Sequence, residues 1–157
     1  MHNNKILFVC LGNICRSPAA EGIMKSLVSK NSLDKYIMVD SAGTIGYHIG
    51  DLPDPRMSAH ASKRGYSLNH KARKFDPKAD FDKFDYIVTM DNSNYDDIIA
   101  LDKDGKYQKK IFKMVQFTNG RSVDEVPDPY YLGPQGFENV LDILEEACKG
   151  LLNHIVN

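Results

Sequence analysis

The sequence predicts an α/β fold: a single-domain, four-stranded parallel sheet with helices on both faces. Three observations lead there. Apolar runs of strand length alternate along the chain with segments of helical period. Four strands alternating with helices imply right-handed crossovers onto a shared sheet. Cys10, Asp91 and the loop after Phe117 fall at predicted carboxyl ends of strands. That rim is where three-layer sandwiches of the flavodoxin-like, Rossmann-type kind hold their ligands.

Taken in order, Ile6-Leu7-Phe8-Val9 is the first strand and ends at Cys10; its branched and aromatic content suits burial. Ser17 then reads as a helix N-cap and Pro18 as the first helical residue. Ala20, Ile23, Met24, Leu27 and Val28 mark that helix's inner face. Tyr36 to Asp40 is the second strand, and Ser41-Ala42-Gly43 opens a long loop that reaches Pro53. Asp54-Pro55 repeats the cap-plus-proline signal and starts a helix that stops near Gly65. Tyr86 to Met90 is the third strand; Asp91 caps the next helix, with Tyr95, Ile98 and Ile99 as its apolar edge. Ile111 to Phe117 is the fourth strand, interrupted by Lys113 and Gln116. Thr118 to Gly136 reads as a loop carrying Pro127, Pro129 and Pro134, and loops of that length are usually functional or mobile. The last helix carries Phe137, Val140, Leu141, Leu144, Ala147, Cys148, Leu151, Leu152 and Ile155 at helical spacing.

The chain has 157 residues, which suits one domain spanning 1–157. Hydrophobic residues make up 42% and charged residues 26%, as in ordinary globular proteins. A net charge of −1 gives no overall basic field for nucleic acid or a membrane surface. No apolar run reaches bilayer length, and the start, MHNNKILFVC, passes into a strand without a signal-peptide pattern. Three cysteines do not make a disulfide framework; the expected location is cytoplasmic, where thiols persist.

The chemistry concentrates in Cys10-Leu11-Gly12-Asn13-Ile14-Cys15-Arg16-Ser17. A loop from a strand end to a helix start can turn successive backbone N–H groups inward and make an anion site. The helix N-terminus adds unpaired N–H groups and partial positive charge. Arg16 supplies a planar fork matched to two phosphate oxygens. Gly12 and Asn13 most easily take the positive φ that a tight loop needs. The same field favours a thiolate at Cys10, the nucleophilic form of cysteine, with Ser17 placed to donate to it. The bland alternative treats Cys10 and Cys15 as small core residues; Arg16 and the polar loop argue against a dry core.

A leaving alkoxide or phenolate needs an acid within reach. Asp128, stiffened by Pro127 and Pro129, is the candidate, and Tyr130 and Tyr131 can wall an aromatic substrate. From composition alone, Asp128 reads sooner as an ordinary Asp-Pro turn with surface tyrosines, because such turns are common.

These residues resemble a family. Val9-Cys10-Leu11-Gly12-Asn13-Ile14-Cys15-Arg16-Ser17-Pro18 is similar to the signature of the low-molecular-weight protein tyrosine phosphatases, and Asp128-Pro129-Tyr130-Tyr131 to their acid loop. Asp40-Ser41-Ala42-Gly43-Thr44, Pro53-Asp54-Pro55-Arg56, His70-Lys71-Ala72-Arg73 and Thr89-Met90-Asp91 match in the same order, so the resemblance covers nearly the whole chain. It implies Cys10 as nucleophile, Arg16 as phosphate clamp, and Asp128 as general acid and then base. It implies that Ser17 stabilises the Cys10 thiolate as a leaving group. Asn13 would hold the loop's strained backbone, supported by His70, with Asp91 orienting that network. Leu11, Ile14, Cys15 and the Gly12 backbone complete the anion cradle. Tyr47 falls in the variable loop beside the site, where family members often carry tryptophan. Read without the resemblance, His70 is a solvated residue in the basic stretch from Lys63 to Lys74.

The expected reaction is hydrolysis of phosphotyrosine in proteins or peptides, with inorganic phosphate and similar oxyanions as inhibitors. Cofactors are none and metal is none: the cradle replaces a cation, and Cys10 and Cys15 lack the supporting ligands of a zinc set. Cys10 and Cys15 are also a redox pair in expectation, able to form a disulfide on oxidation, while Cys148 reads as core packing. An arsenate reductase needs relay cysteines that the stretch between Cys15 and Cys148 lacks. A protein-arginine phosphatase on the same fold tends to carry threonine at the position of Ile14, and apolar Ile14 favours a phenyl ring over a guanidinium. A non-catalytic phosphotyrosine-binding module has no need of the nucleophile or the acid.

Overall fold

The computed structural model describes residues 3–157. Four strands, β1 (Asn4–Cys10), β2 (Ile37–Gly43), β3 (Tyr86–Thr89) and β4 (Ile111–Lys113), form one all-parallel sheet in the order β2-β1-β3-β4. Five α-helices connect and flank them: α1 (Arg16–Lys30), α2 (Pro55–Lys63), the short α3 (Asp80–Lys83), α4 (Asn92–Leu101) and α5 (Gly133–Val156). The chain leaves β1 toward one edge and returns to the other side for β3. The switch point between β1 and β3 therefore opens at the carboxyl ends of both strands.

Strand alternation divides β1 between two cores. Ile6 and Phe8 pack with Val88 under α1 and α5, where α1 contributes Ala20, Ile23, Met24 and Val28, and α5 contributes Phe137, Val140, Leu141 and Leu144. Leu7 and Val9 face the other way with Ile87 and Ile111, covered by Phe81, Phe84 and Ile98. Cys148 lies in the first core, fully buried, as its spacing implies. Among the described residues no helix is long and apolar enough to cross a membrane.

Several expected boundaries move, each for a local reason. Ser41-Ala42-Gly43 does not start a loop; these residues continue β2 and pair with Phe8, Val9 and Cys10. Ser17 is not the cap of α1. The helix begins at Arg16 with Cys15 at the cap position, and the Ser17 hydroxyl is turned to Cys10. Beyond Lys113 the expected fourth strand becomes a 3-10 turn over Met114–Phe117, closed by the Lys113 amide donating to Gln116 Oε1 at 2.6 Å. The final loop ends before Gly133, so Pro134 sits in the first turn of α5, where its missing N–H costs nothing. Asp54 and Asp91 cap α2 and α4 as expected, accepting from the Arg56 and Asn94 amides at 2.8 and 2.7 Å.

Candidate active site

Neighbouring segments take up three carbonyls around the loop between β1 and α1 and leave its amides open. The carbonyls of Cys10, Leu11 and Ile14 accept from the amides of Thr44, Ile45 and Asp54 at 2.9, 3.1 and 2.8 Å. Among the described residues, the amides of Gly12, Asn13, Ile14 and Cys15 make no backbone hydrogen bond, and those of Arg16 and Ser17 belong to the first helical turn, which has no internal acceptors. No side chain caps α1 either. A row of free donors at a helix N-terminus is an anion cradle.

Asn13 holds the loop's shape. It is fully buried with φ 60°, the left-handed region that short amide side chains tolerate best after glycine. Its Nδ2 donates to Ser17 Oγ and Ser41 Oγ at 2.8 and 2.9 Å. Its Oδ1 accepts from the Arg73 amide at 2.9 Å and lies 3.1 Å from His70 Nε2. Gly12, by contrast, does not take a positive φ. Its missing side chain makes room for His48, since a Cβ there would lie 3.0 Å from His48 Cδ2. Gly43 supports the loop from below: a Cβ would come within 2.8 Å of the Leu11 carbonyl oxygen and 3.1 Å of the Asn13 nitrogen.

Cys10 is 3% exposed, and its Sγ lies 3.0 Å from Ser17 Oγ. Because Asn13 already donates to Ser17 Oγ, the hydroxyl proton is free to point at the sulfur. Arg16 is 2% exposed. Its Nη1 donates to Asp91 Oδ2 at 2.6 Å and to the Val126 carbonyl at 3.1 Å, while Nη2 lies 3.7 Å from Asp128 Oδ2. Burial opposes the charged guanidinium, but the charge at Cys10 and the Asp91 hydrogen bond outweigh it and hold Arg16 above its ordinary value. Asp91 thus orients Arg16; it is not joined to Asn13 or His70. Burial pushes the Cys15 thiol up, with Asp54 and Cys10 adding to the effect.

A cavity of about 400 Å³ brings together Cys10, Leu11, Gly12, Ile14, Cys15 and Arg16 with Tyr47, Asp128, Tyr130 and Tyr131. Asn13, Ser17, His70 and Asp91 stand behind this lining. A larger groove of about 1000 Å³ runs between residues 116–121 and α5 but contains no cysteine, so the chemistry selects the smaller one. Asp128 is half-exposed and accepts from the Tyr130 amide at 3.1 Å. Tyr47 and Tyr131 are 83% and 91% exposed, rim residues rather than a closed wall.

Sequence reasoning missed four contributors. His48 and Ile45 line the cavity; Tyr47 was named, yet nothing in the pattern separates it from its neighbours. Glu21 is buried and accepts from Ser41 Oγ and Lys25 Nζ, both at 2.6 Å. Arg73 pairs with Asp40 and Asp80 at 3.1 and 2.9 Å, and its amide supports Asn13. His70 Nδ1 lies 3.3 Å from Glu21 and 3.4 Å from Asp40, so both ring nitrogens face acceptors. Glu21, Asp40 and His70 are close enough to hold a metal ion. Their carboxylate oxygens are already filled by protein donors, Ser41 and Lys25 on Glu21 and the Ser41 amide and Arg73 on Asp40.

Residues 5–157 match the model of the low molecular weight phosphotyrosine protein phosphatase family. A Synechocystis protein provisionally named a low molecular weight protein-tyrosine-phosphatase is 50% identical over 151 residues, covering 96% of each chain. The crystal structure of a protein tyrosine phosphatase from Entamoeba histolytica, with Hepes in its active site, superposes with a TM-score of 0.92 at 46% identity, covering 98% of this chain and 97% of that one. A Drosophila arginine phosphatase superposes with a TM-score of 0.90 at 34% identity, covering 98% of each. The chain belongs to the low molecular weight phosphotyrosine protein phosphatase family, a family of cysteine-dependent phosphatases.

Proposed function

We propose that Cys10, Arg16 and Asp128 carry out two-step hydrolysis of phosphotyrosine in proteins or peptides. The cradle of unpaired amides and Arg16 takes the three equatorial phosphoryl oxygens. Cys10 Sγ attacks phosphorus in line; the P–O bond to the tyrosine breaks as Asp128 gives its proton to the departing oxygen. Water then attacks the phosphocysteine. Asp128 removes its proton, the S–P bond breaks, and inorganic phosphate leaves. Ser17 stabilises the thiolate released in that second step. Preorganised donors supply the charge stabilisation, so no metal is called for.

The observation that carries this reading is the cavity itself, with Cys10 and Arg16 on its floor and Asp128 on its rim. A loop built to bind tetrahedral oxyanions also predicts inhibition by inorganic phosphate, and the sulfonate Hepes in the Entamoeba relative's site supports it. Ile14, which lines the cavity, offers a phenyl ring an apolar contact and favours phosphotyrosine over phosphoarginine.

The reading extends to one domain over 1–157 working in the cytoplasm. A family match over 5–157 supports the first part, and three free cysteines suit a reducing compartment. The net charge of −1 gives nucleic acid and membranes no general hold. Peroxide would convert the Cys10 thiolate to a sulfenic acid, and the Cys15 thiol would condense with it, forming the S–S bond and releasing water. A Cys15→Ser protein that recovers from peroxide as fully as wild type removes that step.

The test of the main reading is phosphate release from a phosphotyrosine peptide with reductant and chelator present. Wild type turns over and Cys10→Ser does not. Turnover of phosphoarginine in place of phosphotyrosine would transfer the site to the other substrate.

A further inference from the structure

Three segments of the chain meet on the side chain of Arg56. Asp54 needs only one oxygen to cap α2, yet it grips the guanidinium with both: Nε donates to Oδ1 at 3.1 Å and Nη2 to Oδ2 at 2.8 Å. The remaining nitrogen, Nη1, donates to the Tyr130 carbonyl at 3.0 Å. The guanidinium also lies over two rings, 4.8 Å from the centre of Tyr130 and 5.0 Å from that of Phe137 at the start of α5. Phe137 is itself buried and stacked on His60 of α2.

Both ends of this arrangement reach the site. The Asp54 amide donates to the Ile14 carbonyl in the phosphate cradle at 2.8 Å. The Tyr130 amide donates to Asp128 Oδ1 at 3.1 Å. An unbroken route therefore runs from Ile14 through Asp54, Arg56 and Tyr130 to the Asp128 carboxylate. On the other side of Asp128 the loop is already pinned, by the Val126 amide on the Met90 carbonyl at 2.8 Å and by Arg16 on the Val126 carbonyl. Arg56 supplies the tie after Asp128. The Arg56 side chain is 47% exposed, whereas the Asp54 side chain that holds it is buried, so the guanidinium reaches from a fixed anchor out to the acid loop.

We propose that Arg56 is a positioning residue that sets Asp128 at the distance from the phosphate cradle needed to protonate the leaving group. The proposal rests on the reading of Asp128 as the general acid. A fixed planar fork suits the role because it engages carboxylate and carbonyl in one plane, which an ammonium cannot do. Misplacing a reacting group by about 1 Å can cost about 100-fold in rate.

The experiment compares kcat/KM on two substrates: 2,4-dinitrophenyl phosphate, whose phenolate leaves unprotonated, and phenyl phosphate, whose phenolate needs the proton. Arg56→Ala is expected to stay within about twofold of wild type on the first and to fall about 10–100-fold on the second, the range general acid catalysis supplies. Asp128→Asn shows the same selective loss, and Arg56→Lys does not recover it. The inhibition constant of inorganic phosphate stays within about twofold of wild type, because the cradle is intact. Equal losses on both substrates, or a weakened phosphate site, would reduce Arg56 to a structural residue and overturn the proposal. So would full activity of Arg56→Ala on phenyl phosphate. A wild type that hydrolyses neither substrate overturns the phosphatase reading itself, a Cys10→Ser protein that hydrolyses both overturns Cys10 as its nucleophile, and each is distinct from these outcomes.

Discussion

Ser17 Oγ sits 3.0 Å from Cys10 Sγ while receiving a hydrogen bond from Asn13 Nδ2 at 2.8 Å. The Asn13 amide fixes which way the hydroxyl proton can point, and the sulfur is the near acceptor. The Ala42 carbonyl, at 3.5 Å, is the more distant alternative. A hydrogen bond of this kind matters most when the sulfur carries full negative charge, as it does when phosphocysteine breaks down.

Ser17→Ala should therefore slow the second chemical step more than the first. Hydrogen bonds to charged groups contribute about 1.5–3 kcal/mol, which is about 10–100-fold in rate. Rapid-quench measurement on a phosphotyrosine peptide should show a burst of tyrosine release followed by a slowed steady state. A mutant that loses the burst and the steady state in equal proportion would place the role of Ser17 in loop folding instead.

Asn13 separates backbone strain from hydrogen bonding. Asn13→Ala loses four side-chain partners and puts a Cβ without compensation at φ 60°. The expected loss is about 2–3 kcal/mol in urea unfolding. Asn13→Gly keeps the φ and loses the bonds, so it should recover about 1 kcal/mol. Equal stability of the two variants would mean the left-handed turn relaxes when the network is cut.

The cradle was legible in the sequence because its chemistry is local: Cys10, Arg16 and Ser17 lie within one strand-to-helix turn, and each residue type has few other reasons to be there. The sheet was legible in Ile6 to Val9 and Tyr86 to Met90, where buried strands read as apolar runs. Ser17 misled because Ser-Pro is a genuine start signal; the demands of Cys10 and Asn13 on its hydroxyl overrode local preference. Gly43 was hidden for another reason. Nothing around it in sequence reveals that the Leu11–Asn13 backbone will lie against it. The Arg56 brace is invisible in the same way, since Tyr130 is far along the chain and capping α2 is reason enough for Asp54.

Gly43 tests that close approach. A methyl group there meets backbone rather than a flexible side-chain end, so the neighbours cannot give cheaply. Gly43→Ala should cost about 1–3 kcal/mol of stability. It should also weaken inhibition by inorganic phosphate at least several-fold, because the amide row from Gly12 to Cys15 must shift. A stable variant with unchanged phosphate affinity would show that β2 moves and leaves the cradle in place.

Asp54 gives the fold a defined acid response. Burial alone would raise its carboxyl, but the side-chain and backbone hydrogen bonds from Arg56 outweigh that and hold it below its ordinary value near 3.8. A carboxyl lowered on folding binds protons more weakly in the native state. Its contribution is thus complete above the unfolded value and is lost as pH falls through the lower folded value. The stability difference between wild type and Asp54→Asn should be constant from pH 6 to about pH 4 and shrink below that. Urea midpoints measured across this range check the sign. A difference that grows toward acid would mean the carboxyl is raised, and burial rather than Arg56 would then govern Asp54.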